Sequence, residues 1–139
     1  GGIAGHIMCK APRDEIGYMG RMVCVQEISA VTAACMMVKT SVFKAVGGFD
    51  EELKVAFNDI DFCMKLRKAG YLIVYNPYAE LYHYESKSRG LEDTPEKVAR
   101  FNKEIATFEK KWPEILENGD PYYNPNLTLK SQDFSLKRI

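Results

Sequence analysis

Residues 58–70, NDIDFCMKLRKAG, constrain this chain more than any other stretch, because every local signal in them points to a helix. Asn58 is placed to cap the first turn, and Asp59 and Asp61 complement the N-terminal dipole. Lys65, Arg67 and Lys68 complement the C-terminal end, and Gly70 stands where a helix leaves through a left-handed residue. Ile60, Cys63 and Met64, with Phe62 and Leu66 alongside, make a broad apolar stripe that must be covered, and a sheet is the expected partner.

The flanking segments supply the expected sheet. Residues 29–39 (SAVTAACMMVK) are short, apolar and partly β-branched, and read as a buried strand. Ser41 caps a short helix over 42–46, which Gly47 and Gly48 end before the loop GGFDEELKVAF. Residues 71–75 (YLIVY) read as a strand, Asn76-Pro77 as a turn, and residues 79–84 (AELYHY) as a second short strand. Residues 1–20, glycine-rich and interrupted by Pro12, read as loop, as does the polar stretch 85–93. Thr94-Pro95-Glu96 opens another helix running to about Trp112, whose docking face carries Val98, Phe101, Ile105, Phe108 and Trp112. Beyond Pro113 the pattern dissolves into an expected extended tail. Alternating strands and helices place the fold in the α/β class, where ligands bind beyond the carboxyl ends of strands. The expected division is a main unit over 1–93, a docking helix over 94–119 and a tail or linker over 120–139.

With 139 residues the chain is one domain or one piece of a larger one, and the opening Gly1-Gly2-Ile3, without an initiator Met, reads as either a removed leader or an excision from a longer chain, with the motifs below favouring excision. A compact protein of this mass exposes roughly 7,300 Å² against roughly 23,000 Å² unfolded, so burial of about two-thirds is expected. Nineteen basic residues balance nineteen acidic ones, which leaves no net field to attract nucleic acid. The longest apolar run is far too short to span a bilayer, and no signal-peptide pattern opens the chain. Cys9, Cys24, Cys35 and Cys63 lack the close pairing of a zinc site, and the last three sit among apolar neighbours. They read as reduced, mostly buried thiols of a cytoplasmic protein, at most peripheral to the inner face of the cell membrane.

Several residues are candidates for chemistry. Asp59 and Asp61, two apart at a helix start, point to different sides, so one alone can face a cleft. They either complement the dipole or supply a general base. His83 ends a predicted strand and is either structural or a metal ligand. Arg89, beside Ser88 in a polar loop, is either a phosphate clamp or a solvated charge.

The order of these features resembles a known family. GGFDE, then ND-I-D at a helix start, LR-K-A-G, a strand, P-Y-A, and His83 ahead of a SRG loop together resemble the C-terminal half of the catalytic domain of family 2 glycosyltransferases, the inverting GT-A type, over roughly residues 31–90. EDTPEK and DPYYNPNL are similar to segments of those relatives that are built into large proteins assembling bacterial surface polysaccharides, including rhamnose-rich ones.

The resemblance implies a short mixed sheet with flanking helices, completed by a Rossmann-like, nucleotide-binding half with a DxD metal motif that should precede residue 1. It implies that Asp59 is the general base for an acceptor sugar hydroxyl. Asn58 stands where many relatives carry Glu, and Asp61 shapes the same helix end through acceptor contacts or structure. His83 matches a ligand of a divalent metal, Mn²⁺ or Mg²⁺, with Tyr84 replacing a second His. Phe49, Asp50 and Glu51 match a loop near the acceptor, and Ser88 and Arg89 a loop near the donor diphosphate. The implied partners are a nucleotide-diphosphate sugar and a glycan or lipid-linked glycan acceptor. With the nucleotide-binding half missing, these residues alone should transfer no sugar. Two other classes stay open: a non-catalytic carbohydrate-binding or interaction module derived from such an enzyme, and a metal-dependent phosphohydrolase using Asp59, Asp61 and His83, for which no nucleophile motif is present.

Overall fold

The computed structural model describes residues 3–84 and 94–138. Its framework is one central helix whose buried side meets the C-terminal part of a longer helix, a short helix and loop segments. β1 (Gln26–Glu27) is followed by α1 (Thr40–Ala45), α2 (Asn58–Lys68), β2 (Val74–Tyr75), α3 (Pro95–Lys111) and α4 (Pro113–Asn118). β1 and β2 form a two-stranded antiparallel ribbon with Gln26 opposite Tyr75 and Glu27 opposite Val74. Leu53, Phe62, Cys63, Met64, Leu66, Ile73, Phe108 and Trp112 make the main core, so the stripe on α2 is covered by α3, by Ile73 and by the loop ahead of α2.

α2 ends as its sequence requires. Gly70 takes φ +85, its amide bonds to Arg67 O and the Tyr71 amide reaches back to Leu66 O, which closes the helix in a Schellman arrangement. Its start differs from expectation. Asn58 is the first helical residue, and the capping position belongs to Phe57, held left-handed at φ 63. α3 begins as expected, with the Thr94 hydroxyl accepting from Lys97 N and Pro95 in the first turn. α1 starts earlier than expected, with Lys39 rather than Ser41 at the cap.

The expected strand over 29–39 is absent. Thr32 caps a single 3-10 turn at Ala33–Cys35, and Val31, Met36 and Val38 pack on the core from irregular backbone. The polar groups a strand would have paired are engaged by α2: the Ala33 amide donates to Asp59 and the Cys63 thiol reaches Val31 O. The strand at 71–75 is reduced to Val74–Tyr75, because the Tyr71 amide is spent on the helix end. Residues 79–84 form no strand. Asn76 turns the chain by accepting from Tyr78 N and Ala79 N, and the residues that follow lie exposed.

The tail is folded rather than extended. α4 begins at Pro113, directly after Trp112, and beyond it Leu127 and Leu136 pair in an antiparallel bridge with Leu127 and Phe134 buried. Phe134 stacks on Tyr18 and Tyr123, the Arg21 guanidinium lies over its ring, and Met8 N donates to Gln132 O. The tail therefore closes on the N-terminal loop. The turn is pinned by Asp133, whose carboxyl is drawn down to about 2 by hydrogen bonds from the Ser131 and Ser135 hydroxyls.

Burial falls short of the two-thirds expected. The chain exposes 10653 Å², well above the roughly 7,300 Å² of a compact protein of this mass. At the ribbon and just before it, Ile73 is buried in the core and Tyr75 is half-buried, while Leu72 and Val74 stand bare. Cys9, Cys24 and Cys35 are exposed and only Cys63 is buried, which corrects the expectation of mostly buried thiols; all four are free. No helix among the described residues is long and apolar enough to cross a membrane.

Gly48 carries a steric prediction. It is buried at φ +60, and a Cβ there would lie 2.9 Å from Cε1 and Cζ of Phe43. Gly48→Ala should lower unfolding free energy by about 1–3 kcal/mol, read from the urea midpoint, whereas Gly47→Ala, with open space around it, should cost less.

Candidate functional site

The helical period separates the two aspartates as expected. Asp61 points inward and is completely buried, whereas Asp59 is half-buried at the rim. A buried carboxylate must be paired and hydrogen-bonded; Asp61 is ion-paired at both oxygens and hydrogen-bonded at Oδ1, while Oδ2 has the Lys65 charge beside it but no aligned hydrogen bond among the described residues. Its Oδ1 accepts from Trp112 Nε1 at 2.9 Å and faces Lys111 Nζ at 2.7 Å, while Oδ2 faces Lys65 Nζ at 3.1 Å.

The two lysines carry the network outward into the GGFD loop. Lys65 Nζ donates to Gly48 O at 3.0 Å, and Lys111 also holds the Asp50 carboxylate. Asp50 closes its own turn by accepting from Glu52 N at 2.9 Å. The hydrogen bond from Lys111 holds the Asp50 carboxyl below its ordinary range, helped by that amide and opposed by burial. For Lys111, burial favours loss of the proton, but the hydrogen bonds from its ammonium to Asp50 and Asp61 outweigh it and hold its pKa up. Phe49, beside Asp50, is partly exposed and packs its ring on Phe62 and against the edge of Phe43.

Asp59 is held by backbone. Its Oδ1 accepts from Ile60 N at 2.9 Å and its Oδ2 from Ala33 N at 3.2 Å, which leaves lone pairs on both oxygens for a further donor. It sits in the first turn, where the helix dipole favours negative charge. The approach to that turn is strained: a left-handed non-glycine residue such as Phe57 costs roughly 1–2 kcal/mol, and such outliers persist only where surroundings enforce them. Here Phe101 and Phe108 of α3 pack on the Phe57 ring at 5.5 and 5.8 Å.

Sequence reasoning missed Glu104. It is buried on the inner face of α3, where Oε1 accepts from Val55 N at 3.3 Å and Oε2 from Ala56 N at 2.7 Å. A signal was present: an acid set between Phe101 and Phe108 on the docking face cannot be solvated once that face is covered.

The structure thus sets Asn58 and Asp59 at the start of α2, and brings Asp50 and Phe49 to the buried Asp61 side of that helix, through Lys111 and Phe62. His83 is exposed, on the segment beyond β2. Ser88 and Arg89 lie outside the described residues. Among the described residues no group of three or more His, Cys, Asp or Glu side chains is arranged to hold a metal, so His83 is at most one donor of a site these residues do not complete.

The chain is 53% identical over 137 residues to an uncharacterised protein, y4gI, of Sinorhizobium fredii, covering 98% of this chain and 15% of that protein. It is 34% identical over 138 residues to the O-antigen biosynthesis protein RfbC of Myxococcus xanthus, covering 99% of this chain and 10% of that one. A 60-residue stretch, 43% of this chain and 20% of the relative, is 42% identical to N-acetylglucosaminyl-diphospho-decaprenol L-rhamnosyltransferase of Mycobacterium tuberculosis. The chain therefore spans a fifth or less of the length of these curated relatives. No family model and no solved structure matches it.

Asp61→Asn should lower unfolding free energy by about 3–5 kcal/mol in denaturant melts, because it strips a buried pair of one partner, while Asp59→Asn should cost about 1 kcal/mol or less. The Asp50–Lys111 pair predicts a pH window. A depressed carboxyl stabilises the fold above its unfolded value of 3.8, and this is lost as pH falls through the lower folded value. A raised ammonium stabilises below its unfolded value of 10.5, and this is lost as pH rises through the higher folded value. Asp50→Asn should therefore be less stable than wild type between about pH 4 and pH 10, with the gap closing on acidification below that range.

Proposed function

We propose that this chain is part of a glycosyltransferase of bacterial surface-polysaccharide assembly, and that it forms the acceptor-side half of a GT-A-type, family 2, inverting catalytic domain. The observation that carries the reading is Asp59: a rim carboxylate at a helix N-terminus, clamped by two backbone amides, beside an aspartate wholly committed to structure. Supporting it are the names of the relatives, an O-antigen biosynthesis protein and a rhamnosyltransferase, and the large exposed surface, which suits a segment that packs against more chain.

In this mechanism Asp59 accepts the proton of the acceptor hydroxyl as that oxygen attacks the anomeric carbon from the face opposite the leaving group. The bond from the anomeric carbon to the diphosphate oxygen breaks, and the nucleoside diphosphate leaves with the electron pair. Phe49 and the Asp50 turn border the acceptor, and Asn58 adds a polar group beside the base. Asp61 acts from within, by fixing the helix on which Asp59 stands. The donor nucleotide is bound by other parts of the parent protein, and the family resemblance gives Ser88 and Arg89 the role of serving its diphosphate. A divalent cation belongs to the proposal only as a partner of the whole enzyme, with His83 as one ligand. Work at the cytoplasmic face of the membrane on a lipid-linked glycan fits the same reading.

A carbohydrate-binding module without catalysis is the second reading, favoured by the strongly exposed rings of Tyr78 and Tyr82, which offer flat faces to a sugar. Kinetics separate the two. In the parent enzyme, Asp59→Asn should lower kcat by about 10²–10⁴ with donor KM nearly unchanged. Retained turnover in that variant would remove Asp59 from the role of base. Glycan binding by the parent with no transfer from any nucleotide sugar would favour the module.

A further inference from the structure

Three successive residues ahead of the Asp59 helix turn, Val55, Ala56 and Phe57, are gripped by one face of α3. Glu104 takes the amides of the first two, and Phe101 and Phe108, three residues before it and four after, flank the ring of the third. These contacts are long-range in sequence, and each addresses a local liability. Two backbone donors lie at a half-buried bend with α2 still to begin, and a bulky residue is held left-handed at the capping position. A carboxylate suits the first need because its two oxygens can each accept while it donates nothing. The next two residues of the chain are Asn58 and Asp59, with no flexible segment between the grip and the carboxylate.

We propose that Glu104 is a positioning residue for Asp59: by holding the amides of Val55 and Ala56 it sets the path by which the chain enters α2, and so the direction in which the Asp59 carboxylate faces. The catalytic consequence rests on the reading of Asp59 as the base; the geometric one does not. Lys111, about two turns beyond Glu104 at the end of α3, and Trp112, the residue after it, secure Asp61 and hold α2 from its buried side. α3 is then the brace that fixes the turn in both respects, although it lies outside the segment bearing the candidate site.

Glu104→Gln tests this. The side chain keeps its size, but its amide group must present hydrogens to one of the two backbone amides, which loses its acceptor. Amide hydrogen exchange in the 139-residue chain should quicken about tenfold or more at Val55 and Ala56. It should also quicken at Ala33 and Ile60, whose amides report the Asp59 carboxylate, while the core of α3 stays protected. Quickening at Val55 and Ala56 with Ala33 and Ile60 unchanged would overturn the proposal and leave Glu104 as a local structural residue. Should Glu104→Gln unfold the chain, Phe101→Leu, at the rim of the same face, should give a smaller change in the same two amides, and no change there would count equally against it. In the parent enzyme, Glu104→Gln should lower kcat and leave donor KM unmoved. If Asp59→Asn itself leaves kcat intact, the assignment of the base fails, while the exchange result still decides the positioning role.

Discussion

The structure depends on one buried carboxylate. Asp61 lies among Phe62, Phe108 and Trp112 with no exposure to solvent, where an unpaired charge is untenable, so its position is stable only while Lys65, Lys111 and the Trp112 indole are in place. Those three groups come from α2 itself and from the far end of α3. Through Gly48 O and Asp50 the lysines extend the requirement to the GGFD loop. Removing either lysine or the indole would leave the buried carboxylate short of a partner, which ties α2 to the end of α3 and, through the lysines, to the loop.

The same constraint separates the roles of the two aspartates. Residues two apart in sequence project about 200° apart on a helix. Once Asp61 is committed inward, Asp59 is carried to the rim, where the helix N-terminus and the amides of Ile60 and Ala33 hold it without closing it off. The buried face supplies rigidity and the rim face remains available to a ligand. Glu104 repeats the device one step earlier in the chain: a buried acid on α3 satisfies backbone that a tight approach to α2 leaves without partners.

The β-ribbon plays a smaller part than an α/β pattern suggests. A ribbon of two residues per strand is not stable by itself. It is held by Ile73 beneath α2, by the Ile28 amide on Ile73 O, by Tyr75 Oη on Met22 O and by Arg21 against the Gln26 side chain. Leu72 and Val74 remain uncovered on its other face. The tail, pinned to the N-terminal loop around Phe134, forms a second small cluster beside the helix pair.

What the sequence by itself determined were the features whose causes are local. α2 and its glycine exit, the Thr94-Pro95 start of α3, the turn at Asn76 and the division of Asp59 from Asp61 follow from caps, dipoles and helical period, which act within a few residues. Only the tertiary structure decided the rest. Residues 29–39 have the composition of a strand but gain no neighbouring strand to pair with among the described residues, and α2 takes the hydrogen-bonding groups of Ala33 and Val31. Residues 79–84 likewise read as a strand but form no ladder with another strand among the described residues, while the polar tail folds because Tyr18, Tyr123 and Arg21 gather around Phe134. Glu104 and Lys111 look like solvated charges until α3 is laid against α2. A strand, a buried ion pair and a bracing carboxylate are each defined by a partner distant in sequence, and composition at one position carries no record of which partner the fold will bring.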